Sequence, residues 1–211
     1  VAVGQGALFA CNGSNNTAVG SDALIASTSA DHNTAVGYRA LTANTTGTAN
    51  AALGAFAADA ITTGDNNTAV GYNSLTVATT GDGNTAIGHQ ALLLNTTGTQ
   101  NVAVGGNALD SNTTASGNTA VGYDSGSAIT TGVYNTCIGI DAGKSITTAD
   151  NNTMIGRFSG VNTTGADNTF IGKNTGYLVT SGTKNTIIGQ YNGNQDGLDI
   201  RTSSNNIVLS D

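Results

Sequence analysis

Apolar residues recur along this chain with a period of seventeen. A large aliphatic residue stands before a glycine at Val19-Gly20, Val36-Gly37, Leu53-Gly54, Val70-Gly71, Ile87-Gly88 and Val104-Gly105, and the series runs on through Val121, Ile138, Ile155, Ile171 and Ile188. Around each pair the residues read Asn-Thr-Ala-Val-Gly, as at Asn33 to Gly37, and a Thr-Thr-Gly or similar turn follows about ten residues later. A fixed short period of this kind marks a solenoid, in which each repeat forms one coil stacked on the next. Apolar positions do not recur at three or four, and Gly, Asn and Thr are poor helix formers, so helix is excluded. The pattern predicts an all-β protein, a parallel β-solenoid or β-roll of about twelve 17-residue coils over residues 1–193. A transition or junction segment, 194–211, follows where the register is lost after Gly189. Each coil is expected to hold two short strand-like runs separated by two turns.

The columns of the repeat suggest where side chains point. The residue before the glycine is always a large aliphatic and is expected inside the coil; Thr, two positions earlier, shares its face. The Asn that opens each motif, from Asn16 and Asn33 to Asn168 and Asn185, is expected to stack as an amide ladder serving backbone groups at a turn. The middle residue then points outward, yet it is never polar: Ala35, Ala52, Ala69, Ala86, Ala103 and Ala120 are followed by Cys137, Met154, Phe170 and Ile187. An outward apolar column needs a covering surface, and identical chains around a symmetry axis supply one, so these ten residues are the expected chain-chain interface of a homotrimer.

Repeats such as Asn33 to Leu41 with Asn44 to Gly47 resemble the arrays of bacteriophage tail fibres and the coils of trimeric autotransporter adhesin heads. The resemblance runs from Val1 to about Asn192 and implies left-handed β-rolls joined as trimers. Ser203 to Asp211 resembles the stretch that closes such arrays in tail fibres before a neck and a self-cleaving chaperone.

Composition narrows the function. Thirty glycines, no Pro, no Trp and 9% charged residues are far from globular averages, while the strict phase of Val, Ile and Leu argues against disorder. A net charge of -7 with six scattered Lys and Arg is unsuited to nucleic acid, and no apolar run is long enough to enter a membrane as a helix. Cys11 and Cys137 lie seven to eight coils apart, beyond disulfide reach.

Candidate chemistry is sparse. His32 and His89 occupy different columns without a repeated acid or Ser partner, so no catalytic residue is assigned. Asp65, Asp82, Asp150 and Asp167 precede the Asn-Thr strand, but the nonapeptide of calcium β-rolls is absent; they read as solvated turn acids, and neither a metal nor a cofactor is expected. Asn-X-Ser/Thr triplets begin at Asn12, Asn15, Asn44, Asn66, Asn95, Asn112, Asn151 and Asn162. Thr pairs such as Thr45-Thr46 and Thr79-Thr80 suggest ice binding, although adjacent residues on a strand cannot both face outward. Tyr38, Tyr72 and Tyr123 follow the column glycine and are candidates for stacking on a ligand.

The expected function is that of a non-enzymatic fibre shaft and attachment or spacer element, extracellular, most consistent with a virion tail fibre. The alternatives are a bacterial surface adhesin or self-assembling filament, and an ice-binding solenoid. The expected partners are other copies of the chain and a cell-surface glycan or receptor engaged mainly through flanking segments.

Overall fold

The computed structural model describes residues 1–211. It contains no helix and is built on one thirteen-stranded parallel sheet in which each strand is one coil of the solenoid. In chain order the strands are β1 (Ala2–Val3), β2 (Thr17–Val19), β3 (Thr34–Val36), β4 (Ala51–Leu53), β5 (Thr68–Val70), β6 (Thr85–Ile87), β7 (Val102–Val104) and β8 (Thr119–Val121). Then come β9 (Thr136–Ile138), β10 (Thr153–Ile155), β11 (Thr169–Ile171), β12 (Thr186–Ile188), β13 (Asn194–Gln195), β14 (Leu198–Asp199) and β15 (Ile207–Leu209). Pairing is in register throughout, with Ala35 opposite both Ala18 and Ala52 and Met154 opposite Cys137 and Phe170. At the usual strand spacing twelve coil steps make a rod about 58 Å long.

Only one run per coil is extended. The second expected run is a chain of turns, because two of its residues are left-handed: in the coil after Gly37, Arg39 has φ 55° and Leu41 φ 52°. The Arg39 N–H donates back to Ser21 and the Leu41 N–H forward to Ala57, so these turns are tied to both neighbouring coils as firmly as a strand would be. The column glycine closes the strand. Gly54 has φ 141°, and a Cβ there would lie 2.5 Å from the carbonyl oxygen of Gly71 in the next coil, so any side chain would force the stack apart.

The interior is the reverse of the one the sequence suggests. Ala18, Ala35, Ala52, Ala69, Ala86, Ala103, Ala120, Cys137, Met154, Phe170 and Ile187 are buried inside the coil of a single chain. The expected interface of Ala35 to Ile187 is therefore core, and it cannot be a contact between chains. The pre-glycine aliphatics point outward instead, with Leu53 51% and Ile87 38% exposed. A three-residue strand has one inward position, its centre, and the coil is too thin to hold two aliphatic side chains beside the opposite wall.

That wall explains the change from Ala to larger residues. Opposite the strand, six residues after its central position, stand Leu24, Leu41, Leu75, Leu92 and Leu109, all buried, wherever the strand carries Ala18, Ala35, Ala69, Ala86 or Ala103. Where the strand carries Cys137, Met154, Phe170 and Ile187, the facing positions are Gly143, Gly160, Gly176 and Gly193. A Cβ on Gly143 would come within 2.5 Å of Cys137 Sγ and 2.9 Å of Ile146 Cδ1. In coils where neither position is large, as at Ala52 and Ala58, a third buried column supplies Ile61. Each coil thus fills one fixed volume by dividing it differently among three columns.

The Asn column forms the expected ladder. Asn33 donates its N–H to Asn16 Oδ1 at 2.8 Å and its Nδ2 to the Gly47 carbonyl at 2.8 Å, and Asn50 donates its N–H to Asn33 Oδ1 in turn. The ladder continues to Asn206. Residues 194–211 belong to the last coil: β13 and β14 make an antiparallel hairpin off the turn side, after which β15 rejoins the sheet beside β12 with Thr186 opposite Ile207. The hairpin adds four residues between Gly193 and Ile200; Ile200 is buried in the interior column that Val179 occupies one coil earlier.

Candidate functional site

Two exposed features run along the rod. The first is the outer face of the sheet. Every coil presents one Thr, or Ala51, Val102 or Ile207, and one aliphatic residue from Val19 to Leu209. No charged or amide side chain interrupts this face over its whole length, although the chain carries nineteen formally charged residues elsewhere, six basic and thirteen acidic. Burial within the chain does not require this restriction, because these side chains are half-buried or exposed.

The second feature is the pair of columns just beyond the glycine corner. Tyr38, Phe56, Tyr72 and His89 form a row on four consecutive coils, with ring centroids 5.2, 6.1 and 5.8 Å apart. The first two contacts are edge-to-face and the third is stacked, at 11° between planes. Arg39 lies over the Phe56 ring at 5.7 Å. Tyr38 and Tyr72 therefore sit together, with 48% and 51% exposure. Tyr123 stands apart: Gly106 interrupts the row, and the Tyr123 ring lies against that glycine, where a Cβ would come 3.3 Å from its Cδ2.

Beyond Gly106 the surface becomes a shallow polar groove lined by Asn107, Asp110, Ser111, Asp124, Ser127 and Lys144, among others. Lys144 Nζ bonds Asp124 at 2.9 Å and Asp141 at 2.7 Å. Partial burial raises the Asp124 carboxyl, but hydrogen bonds from Lys144 and Asn107 and the Lys144 charge outweigh it and hold the group below the usual carboxylate range. Asp110 goes the other way, raised first by partial burial and then by the Asp124 charge.

The remaining expected features are mostly scaffold. Asp31, Asp65, Asp82 and Asp150 are not merely solvated: each accepts a backbone N–H from the preceding coil, at Ser14, Thr48, Asp65 and Val133 respectively. Asp167 lies outside that column and accepts from Asn151 Nδ2. From Thr45 to Thr130 the first Thr of each pair donates its hydroxyl to the next coil, as Thr45 does to the Thr62 carbonyl at 3.0 Å, while the second Thr is exposed. Of the Asn-X-Ser/Thr positions, Asn44, Asn95 and Asn112 are buried, whereas Asn12, Asn15, Asn66, Asn151 and Asn162 are exposed. His32 meets only the Asn15 amide, at 3.2 Å, and His89 belongs to the aromatic row. Cys137 is buried, which pushes its thiol up to about 12.

No family model, curated protein or solved structure matches the chain.

Proposed function

We propose that this chain is a non-enzymatic fibre shaft, an extracellular attachment or spacer element of the virion tail-fibre kind, in which three copies, coiled in the left-handed sense that the resemblance implies, pack through the outer faces of their sheets. The observation that carries this reading is the uncharged Thr and aliphatic face that continues through every coil. A strip about 58 Å long and about 10 Å wide offers on the order of 600 Å² per chain, approaching the ~800 Å² that each partner contributes to a standard stable interface. Exposed apolar surface of that extent calls for a cover, and a second copy is the cover whose length and spacing match by construction. Threefold assembly comes from the resemblance to tail fibres and adhesin heads. Light scattering on the purified chain should give three times the 20.8 kDa chain mass. Val70→Glu on the outer face should reduce it to one. A monomeric wild-type chain at micromolar concentration would overturn the proposal.

The same face supports a second reading. Its outward hydroxyls come from the strand column Thr17, Thr34, Thr68, Thr85, Thr119 and Thr136, not from the Thr pairs, and they repeat once per coil, except at Ala51 and Val102, beside aliphatic side chains. An ordered array of this kind is suited to ice, and thermal hysteresis of a monomeric sample would select that reading over the fibre.

A further inference from the structure

We infer that the aromatic row on the third to sixth coils is a binding strip for an extended, uncharged oligosaccharide lying parallel to the rod axis. The inference goes beyond the fibre reading and does not depend on the chains assembling. Four ring side chains, Tyr38, Phe56, Tyr72 and His89, follow one another at 5.2 to 6.1 Å, close to the coil rise of about 4.8 Å. The fold does not require rings there, since the same columns hold Ser21, Ile140 or Lys173 in other coils that stack equally well. Half of the Tyr38 and Tyr72 surface remains open to solvent.

Sugar rings present C–H faces that pack on aromatic rings and equatorial hydroxyls that need planar hydrogen-bonding partners at the edge. The residues that follow Tyr72 and His89 in the chain are Asn73 and Gln90, whose amides each offer two donors and an acceptor, and Arg39, which follows Tyr38, lies over the Phe56 ring. Phe56 is edge-to-face with both Tyr38 and Tyr72, so the repeat offered to a chain of sugars is that of the two tyrosines, two coils or about 10 Å, which matches two hexose units joined end to end. The charge of the chain, -7, selects against polyanionic glycans and in favour of neutral ones. At the other end of the row the Tyr123 ring lies against Gly106, and the polar groove is lined from the next residue, Asn107.

The probes are maltohexaose, cellohexaose and chitohexaose, titrated into the intact protein and followed by saturation-transfer NMR and calorimetry. At least one should bind. Tyr72→Ala and Phe56→Ala should each weaken that binding at least tenfold with unchanged particle mass and melting temperature, while Tyr134→Ala, an exposed tyrosine away from the row, should not change it. No binding of any of the three at 10 mM sugar, on the order of the weakest useful affinities, would overturn the inference. So would loss of assembly in Tyr72→Ala, which would make the row a chain-chain contact. The mass of the wild-type particle, measured separately, tests the fibre reading alone.

Discussion

A Cβ on Gly176 would lie 2.5 Å from Cδ2 and Cε2 of Phe170, closer than carbon atoms approach without a bond. Phe170 takes the space that Leu occupies in the N-terminal coils, so the two positions are coupled. Phe170→Ala should cost about 3–5 kcal/mol by leaving a cavity, and Gly176→Leu alone should be at least as damaging by overpacking. The double substitution recreates the Ala86 and Leu92 arrangement and should recover about 2 kcal/mol relative to the sum of the singles. Urea unfolding of the four proteins measures that coupling.

Charge placed on adjacent strand residues should have opposite consequences. Ala86→Glu buries an unpaired carboxylate in the core and should prevent folding or lower the melting temperature sharply. Ile87→Glu points outward and should leave the stability of the single chain within about 0.5 kcal/mol while abolishing assembly. Circular dichroism and light scattering on the two variants separate fold from association.

Asn84 serves three coils at once. Its Oδ1 accepts from the Asn101 N–H at 3.1 Å, its Nδ2 donates to the Gly98 carbonyl at 2.9 Å, and its own N–H donates to Asn67 Oδ1 at 2.9 Å. Asn84→Ala leaves the buried Asn101 N–H without a partner, while the Gly98 carbonyl keeps the bond from Asn95 Nδ2, a loss of about 1–3 kcal/mol. Asn84→Asp retains an acceptor but no Nδ2 donor, and its denaturation midpoint should fall at neutral pH by a comparable amount.

Asp110 is raised from its ordinary value by partial burial and by the nearby Asp124 charge, so the folded chain holds this proton more tightly than the unfolded chain does. The charged form therefore weakens the fold above the folded pKa. The penalty shrinks as pH falls through that value and vanishes near the unfolded value of about 4. Asp110→Asn should raise the urea midpoint at pH 7 and lose that advantage near pH 4. An advantage that grows on acidification would contradict the assignment.

The repeat, the all-β class, the parallel stack and the Asn ladder were legible because each follows from a period and a residue type. The direction of the strand side chains was not, because Thr-Ala-Val alternates equally well in either sense and size alone favours Val as the inward residue. The deciding signal lay six residues away. Gly faces the strand at 143, 160, 176 and 193, where Cys, Met, Phe and Ile replace Ala, and at Ala120 and Gly126 the volume comes from Ile129 instead, so the exchange runs among columns that share one interior. The left-handed turn run was obscured for a related reason, since Arg39 and Leu41 are not residue types that announce a positive φ. Of the three tyrosines singled out, the sequence places Tyr38 and Tyr72 in one column but does not reveal that Phe56, one position further along its own coil, completes the row between them.

The hairpin of β13 and β14 shows where this architecture tolerates added length. Four surplus residues leave the stack between Gly193 and Ile200, and the strand, the Asn ladder and the turn hydrogen bonds all resume afterwards. The corresponding site in every other coil is a two-residue stretch on the turn side, such as Thr42-Ala43 or Leu93-Leu94. The rod is therefore a graduated mount, with one attachment point about every 4.8 Å at which a loop could be grafted at a chosen height without disturbing the sheet behind it.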